Sequence, residues 1–173
     1  MQSTIPAWRD DRLIPIDKLD VHRLGLRHPA VSVFVFAGDV LLLQRRALGK
    51  YHTPGLWANT CCTHPHWGES AEACAARRLA EELGLRDLAL EPRGQVEYRA
   101  DVGGGMVEHE VVDLFVARCN EPPEATPDPD EVMDLRWIGV DALATELRER
   151  PEAFTPWLRI YLRDHAGRLG FAV

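Results

Sequence analysis

The chain has 173 residues, 46% of them hydrophobic, which is enough for one sizeable core and one domain, residues 1–173. A formal net charge of -7 excludes a protein built mainly to coat nucleic acid, although a local basic pocket for a small phosphorylated ligand remains compatible with it. Four irregularly spaced cysteines (Cys61, Cys62, Cys74, Cys119) are no secreted disulfide framework. The N-terminal MQSTIPAWRDDR lacks the basic start and apolar core of a signal peptide, and no apolar stretch approaches the length of a membrane span. These features predict a cytoplasmic protein with reduced thiols and no membrane or nucleic-acid partner.

In chain order, VSVFVFAGDVLLLQRR (31–46) reads as two β-rich runs around a turn, a hairpin signal. ESAEACAARRLAEELGL (69–85) sets Ala73, Ala76, Leu79, Ala80 and Leu83 at helical spacing, with Gly84 as its stop. QVEYRAD (95–101) reads as a strand, GGG (103–105) as a turn and MVEHEVVDLFVAR (106–118) as a long strand. EPPEATPDPDE (121–131) is a loop, DLRWIGV (134–140) a strand and DALATELRER (141–150) a short helix. Thr155 and Pro156 suit the N-cap and first turn of a closing helix running to about Arg168. Hairpin-forming strands with fewer helices predict an α+β sandwich.

Two stretches carry chemistry. Glu108 and Glu110 alternate on one strand and so share a face with Met106, Val112, Leu114 and Val116. Carboxylates on an apolar face are costly unless a cation or hydrogen bonds compensate them; the plain alternative is a solvated strand end. NTCCTHPHWGES (59–70) packs Cys61, Cys62, His64 and His66 into six positions, while His22 and His28 flank a glycine-containing turn in HRLGLRH. Three imidazoles (His22, His28, His64) with two carboxylates would suit Mn²⁺ or Zn²⁺ at five or six coordination, though spacing alone does not make the segments converge. Arg78 and Glu82 read as an i,i+4 pair, and Lys18, Arg46 and Lys50 as scattered cations to which a phosphate site would give a purpose.

GESAEACAARRLAEELGL resembles the Nudix box, G-x5-E-x7-R-E-U-x-E-E-x-G-U with U aliphatic. Glu69, Arg77, Leu79, Glu81, Glu82, Gly84 and Leu85 fall on pattern positions, whereas Thr63 replaces the opening Gly and Arg78 replaces a Glu on which hydrolases rely for metal. From about Lys18 to Trp157 the chain resembles the type I isopentenyl-diphosphate isomerases, the Nudix-fold branch that rearranges rather than hydrolyses. QRRALGK, PGLWANTCCTHPHWGES, RRLAEELG, EYRA, the Glu-x-Glu strand, DEVMDLRW and FTPW carry that resemblance, and RHPAVS departs from the family's usual apolar-His-x-Ala-Phe-Ser.

The resemblance implies a Nudix-like α/β/α sandwich with mixed and antiparallel strands, acting as a monomer on a small isoprenoid diphosphate. It implies Cys62 and Glu110 as the acid/base pair, with Cys61 a bystander. His22, His28, His64, Glu108 and Glu110 would hold Mn²⁺ or Zn²⁺, and Glu82 with the Cys62 carbonyl a Mg²⁺ arriving with the substrate diphosphate. Lys18, Arg46, Lys50 and Arg78 would contact the diphosphate, and Tyr98 and Trp157 the isoprenoid. The competing readings are a Nudix diphosphohydrolase, against which Arg78 speaks, and a catalytically inert metal-binding module.

Overall fold

The computed structural model describes residues 4–171, beginning with a two-stranded hairpin, β1 (Thr4–Arg9) and β2 (Arg12–Asp17), turned by Asp10 and Asp11 at positive φ. A short helix α1 (Lys18–Leu24) follows at once. The Asp17 carboxylate caps it by accepting from the Leu19 and Asp20 amides at 3.0 and 3.2 Å, and Gly25 ends it in the left-handed conformation. His22 therefore projects from a helix rather than from a turn, because Asp17 and Gly25 supply both caps within nine residues.

The main sheet has the order β5-β4-β3-β8-β7, built from β3 (Arg27–Ala37), β4 (Val40–Arg46), β5 (Trp57–Ala58), β7 (Glu91–Gly103) and β8 (Met106–Cys119). β6 (Cys61–Thr63) pairs with β3, and β9 (Val132–Gly139) with β4. β3 and β4 meet only beside their turn, so the other end of β3 is free to pair with β6 on that edge. On its other edge β3 runs parallel to β8 along its whole length, which places His28 opposite Glu110. β7 and β8 form a long antiparallel hairpin in which Tyr98 also faces Glu110.

Strand alternation sorts side chains onto two faces. Val31, Val33 and Val35 of β3, with Phe115 and Ala117 of β8, pack on helix α2 (Ala71–Leu83) through Cys74, Leu79 and Leu83. Phe34 and Phe36, with Val112, Leu114 and Val116, pack on α3 (Val140–Glu149) and α4 (Pro156–Asp164) through Leu143, Trp157, Leu158 and Tyr161. Each such fully buried aliphatic or aromatic residue contributes about 1.5–3 kcal/mol, so both layers are held mainly by apolar burial. This is the expected α/β/α sandwich with a mixed sheet.

α2 starts two residues later than the Gly68-Glu69 pair, because the Ser70 hydroxyl accepts from the Ala73 amide at 3.2 Å and so caps it. Gly84 closes it in the left-handed region, where an added Cβ would meet Thr126 at 3.2 Å. Glu69 instead reaches across to Arg77, accepting two hydrogen bonds at 2.6 and 2.8 Å. The closing helix is shorter than expected: α4 stops at Asp164, and the turn α5 (Ala166–Leu169) follows, ended by Gly170. Thr155 stands at the N-cap of α4, but its hydroxyl caps nothing.

Candidate active site

β6 is three residues long, and its alternation decides the fate of two adjacent cysteines. Cys61 points toward α2 and is fully buried with Cys74 and Leu79. Cys62 points the other way, into a cavity roofed by Trp157. Its thiol lies 2.9 Å from Asn59 Oδ1 and 3.1 Å from Ser32 Oγ, which in turn is 2.9 Å from the Tyr161 hydroxyl. Both Nδ2 protons of Asn59 are donated to main-chain carbonyls, of Val33 and Cys61, so its Oδ1 can only accept and the thiol donates to it. Burial, with Glu110 and Glu108 nearby, pushes the Cys62 thiol well above its ordinary range, which keeps it protonated.

Glu108 and Glu110 from β8, 3% and 5% exposed, line the same cavity. The Tyr98 hydroxyl oxygen is 2.6 Å from Glu110 and 2.9 Å from Glu108. Although burial favours the protonated form of Glu110, His28, Tyr98 and His22 outweigh it and hold the carboxyl below its usual range. The cavity is thus lined by both a protonated thiol and a charged carboxylate.

Behind Glu110 lie the histidines. His22 Nδ1 bonds the Lys18 carbonyl and His28 Nδ1 the Leu26 carbonyl, each at 2.7 Å, so both rings donate from Nδ1 and keep a lone pair on Nε2. His64 Nε2 is 3.0 Å from Glu110 and His28 Nε2 is 3.6 Å from it. Ligand atoms of His22, His28, His64 and Glu110 all fall within 4.8 Å of one another. Buried, unpartnered imidazole nitrogens (His28 Nε2 on a ring anchored to the Leu26 carbonyl, His64 Nδ1 on a ring held by Glu110) suit a divalent metal ion, and the His/Glu donor set fits one. Burial, reinforced by His28, lowers His22 to about 4, and burial with Lys18 lowers His64 well below its ordinary range, so both are neutral as ligands must be. His28 moves up instead, since Glu110 outweighs its burial. Glu108 does not join that group of four but gathers with His22 and His52 in a second one.

Lys18, Arg46, Lys50 and Arg78 line the same cavity and make it attractive to an anion, with Arg46 5.2 Å from the Trp157 ring. Burial, then the charges of Lys50 and Arg78, lowers Lys18 to about 8. Glu131 counterbalances the cluster by pairing with Lys50 and, at 3.1 Å, with Arg78; those cations override its burial and hold it at about 2. Glu82 is buried beside the cavity rather than lining it. Its carboxylate accepts from Arg78 at 2.5 Å and from Gln44 at 3.2 Å.

A model of the NUDIX domain matches residues 26–158. An isopentenyl-diphosphate Delta-isomerase of Cereibacter sphaeroides strain ATCC 17025 is 60% identical over 169 residues, covering 98% of this chain and 96% of that protein. That of Ruegeria pomeroyi is 62% identical over 162 residues, covering 94% and 90%. The chain belongs to the isopentenyl-diphosphate Delta-isomerase family, on the Nudix fold. Among solved structures, a Deinococcus radiodurans protein superposes with a TM-score of 0.74 at 15% identity, covering 93% of this chain and 98% of that one. A MutT NUDIX hydrolase of Burkholderia pseudomallei gives 0.63 at 23%, covering 80% and 98%; both likenesses concern the fold alone. Arg78, where the Nudix box has a Glu, stands in this cavity as one more cation.

Two cavity residues were not anticipated from the sequence, Tyr51 and His52. The Tyr51 hydroxyl lies 3.4 Å from His22 Nε2 and its ring sits under Lys18; His52 is 3.1 Å from Glu108. Both follow Lys50 in a segment without periodicity, and only the His content of KYHTP hinted at them.

Proposed function

We propose that the protein interconverts isopentenyl diphosphate and dimethylallyl diphosphate by a 1,3 proton shift, with Cys62 and Glu110 as the acid/base pair. The observation that carries this reading is that Cys62 and Glu110 line one cavity together with four cations, Lys18, Arg46, Lys50 and Arg78, and with the rings of Tyr98 and Trp157. That combination of cations and aromatic rings matches a diphosphate joined to a five-carbon hydrocarbon.

One group adds a proton to the terminal carbon, and the other removes one from the carbon nearer the diphosphate. The proton count is unchanged, and each group is acid in one direction and base in the other. Protonating an unactivated alkene creates a tertiary carbocation, which a buried site must stabilise and keep from water. Tyr98, in contact with Glu110, and Trp157, offering its π face, take those parts in this reading. Lys18, Arg46, Lys50 and Arg78 would grip the diphosphate, and Arg46 already lies 5.2 Å from the Trp157 ring.

His22, His28, His64, Glu108 and Glu110 would hold a Mn²⁺ or Zn²⁺ ion, which supplies positive charge that tunes the acidity of Glu110. Glu82 and the Cys62 carbonyl would hold Mg²⁺ accompanying the diphosphate, in keeping with the preference of Mg²⁺ for few protein ligands plus phosphate oxygens. The whole chain, residues 1–173, would act as one domain, as a monomer and in the cytoplasm; among the described residues no helix is long and apolar enough to cross a membrane.

Proton NMR of isopentenyl diphosphate with the purified protein, Mg²⁺ and Mn²⁺ tests the reading. Exomethylene signals should give way to the vinyl and methyl signals of dimethylallyl diphosphate. No conversion with both ions supplied, or release of phosphate or pyrophosphate in its place, overturns it.

A further inference from the structure

His52 is buried (4% exposed) in the cavity wall, outside the expected ligand set, and its surroundings fix its tautomer. Nδ1 faces two groups that can donate, Thr53 Oγ1 at 3.0 Å and Arg46 Nη2 at 3.5 Å, and a guanidinium cannot accept. Nδ1 is therefore the acceptor and the ring proton sits on Nε2. Nε2 lies 3.1 Å from Glu108 Oε1, within ion-pair reach though off the line of a hydrogen bond in this structure, and it makes no other polar contact. A ring nitrogen that carries a proton has no lone pair for a metal.

The overlap with His22 points the same way. His22 belongs both to the group with His28, His64 and Glu110 and to the group with His52 and Glu108. Its Nδ1 is committed to the Lys18 carbonyl, leaving one nitrogen for one ion. The two groups are not two metal sites. The second is the means by which Glu108 is held beside the first.

Glu108 needs such an anchor because its other partner is shared. Tyr98 has a single hydroxyl proton, and Glu110, at 2.6 Å, is a closer acceptor than Glu108, at 2.9 Å. The neighbouring backbone is bent to suit: Thr53, β-branched and buried, has φ 46°, a conformation that side chains of its kind rarely adopt. That strain sets the Thr53 hydroxyl against Nδ1.

We infer that His52 is a positioning residue for the metal centre, which donates from Nε2 to Glu108 and thereby fixes a carboxylate ligand. The inference rests on the metal-site reading above, and partners of this kind typically change metal affinity by about 10–100-fold.

The experiment is chelator-competition titration of Mn²⁺, without substrate, into the full-length wild type and into His52→Ala and His52→Gln, with thermal melts alongside. Affinity should fall about 10–100-fold in His52→Ala. It should largely recover in His52→Gln, whose side-chain amide places an N–H near the position of Nε2. Unchanged affinity in His52→Ala overturns the inference while leaving the metal site standing, and a folded His52→Gln as weak as the alanine variant also overturns it. Wild type that takes up no Mn²⁺ overturns the metal reading and this inference with it. Should His52→Ala not fold, His52→Asn replaces it: its amide is too short to reach Glu108, so equal affinities in His52→Asn and His52→Gln overturn the inference.

Discussion

Adjacent cysteines on opposite faces of one short strand give a sharp mutational contrast. Cys62→Ala removes the thiol that shares the cavity with Glu110 while sparing the sheet; turnover should fall at least ~10²–10⁴-fold, the usual contribution of a general acid/base group. Asn59 Oδ1 loses its donor, a stability cost of about 1 kcal/mol. Cys61→Ala removes one sulfur from the fully buried layer against α2, a small cavity costing about 1–2 kcal/mol. At about 2–4 °C per kcal/mol for a chain of this size, its melting temperature should drop by roughly 2–8 °C. The protein stays folded at 25 °C, so its turnover should remain within about twofold of wild type, because a loss of that size leaves ample folded fraction. Initial rates at saturating isopentenyl diphosphate, with thermal melts of the same samples, check both limbs. A dead Cys61→Ala beside an active Cys62→Ala would refute the facing of β6, and equal losses would refute the acid/base role of Cys62.

The metal sites separate by elemental analysis: His64→Ala should lose the ion of the His/Glu site, whereas Glu82→Gln should retain it and show weakened binding of pyrophosphate with Mg²⁺. Equal metal content in wild type and His64→Ala would remove His64 from the ligand set. The Lys18 ammonium, with its pKa lowered to about 8, is mostly charged at pH 7 and mostly neutral by pH 9, so KM for the diphosphate should rise as pH climbs through 8. Lys18→Arg should flatten that rise because arginine stays charged throughout. A wild-type KM that is level between pH 7 and 9 would show that Lys18 does not serve the diphosphate.

The parts of the fold legible in the sequence are those whose signals are local and repeated. α2 declared itself through apolar residues at helical spacing ending in Gly84, and the β3–β4 hairpin through two β-rich runs around Gly38-Asp39. Glu108 and Glu110 were legible as a same-face pair because strand alternation needs no tertiary information. α1 was missed because seven residues give too little periodicity, although Asp17 and Gly25 mark both of its ends. The β1–β2 hairpin was missed because its turn uses two aspartates at positive φ where a turn glycine is the usual cue. His52 was illegible for a different reason: its relation to Glu108 spans segments far apart in the chain, and only their meeting in space reveals it. α4 stops at Asp164, where His165 leaves helical geometry with φ -133°, and no glycine or proline at that point announces the break.

The parallel pairing of β3 with β8 has a consequence for how the chain reaches its native state. The two strands lie nearly half the chain apart in sequence, with four strands and α2 between them, so the central ladder closes only after a long loop has been ordered. Until then VSVFVF in β3 is an uncharged, β-branched and aromatic run with an open edge, the kind of segment that zips onto its own copies. His28 and Glu110 face each other across that same ladder, and a slip of one residue would turn Glu108 and Glu110 toward α2. The pairing that covers the exposed edge of β3 is thus also the one that sets His28 opposite Glu110 in the cavity wall.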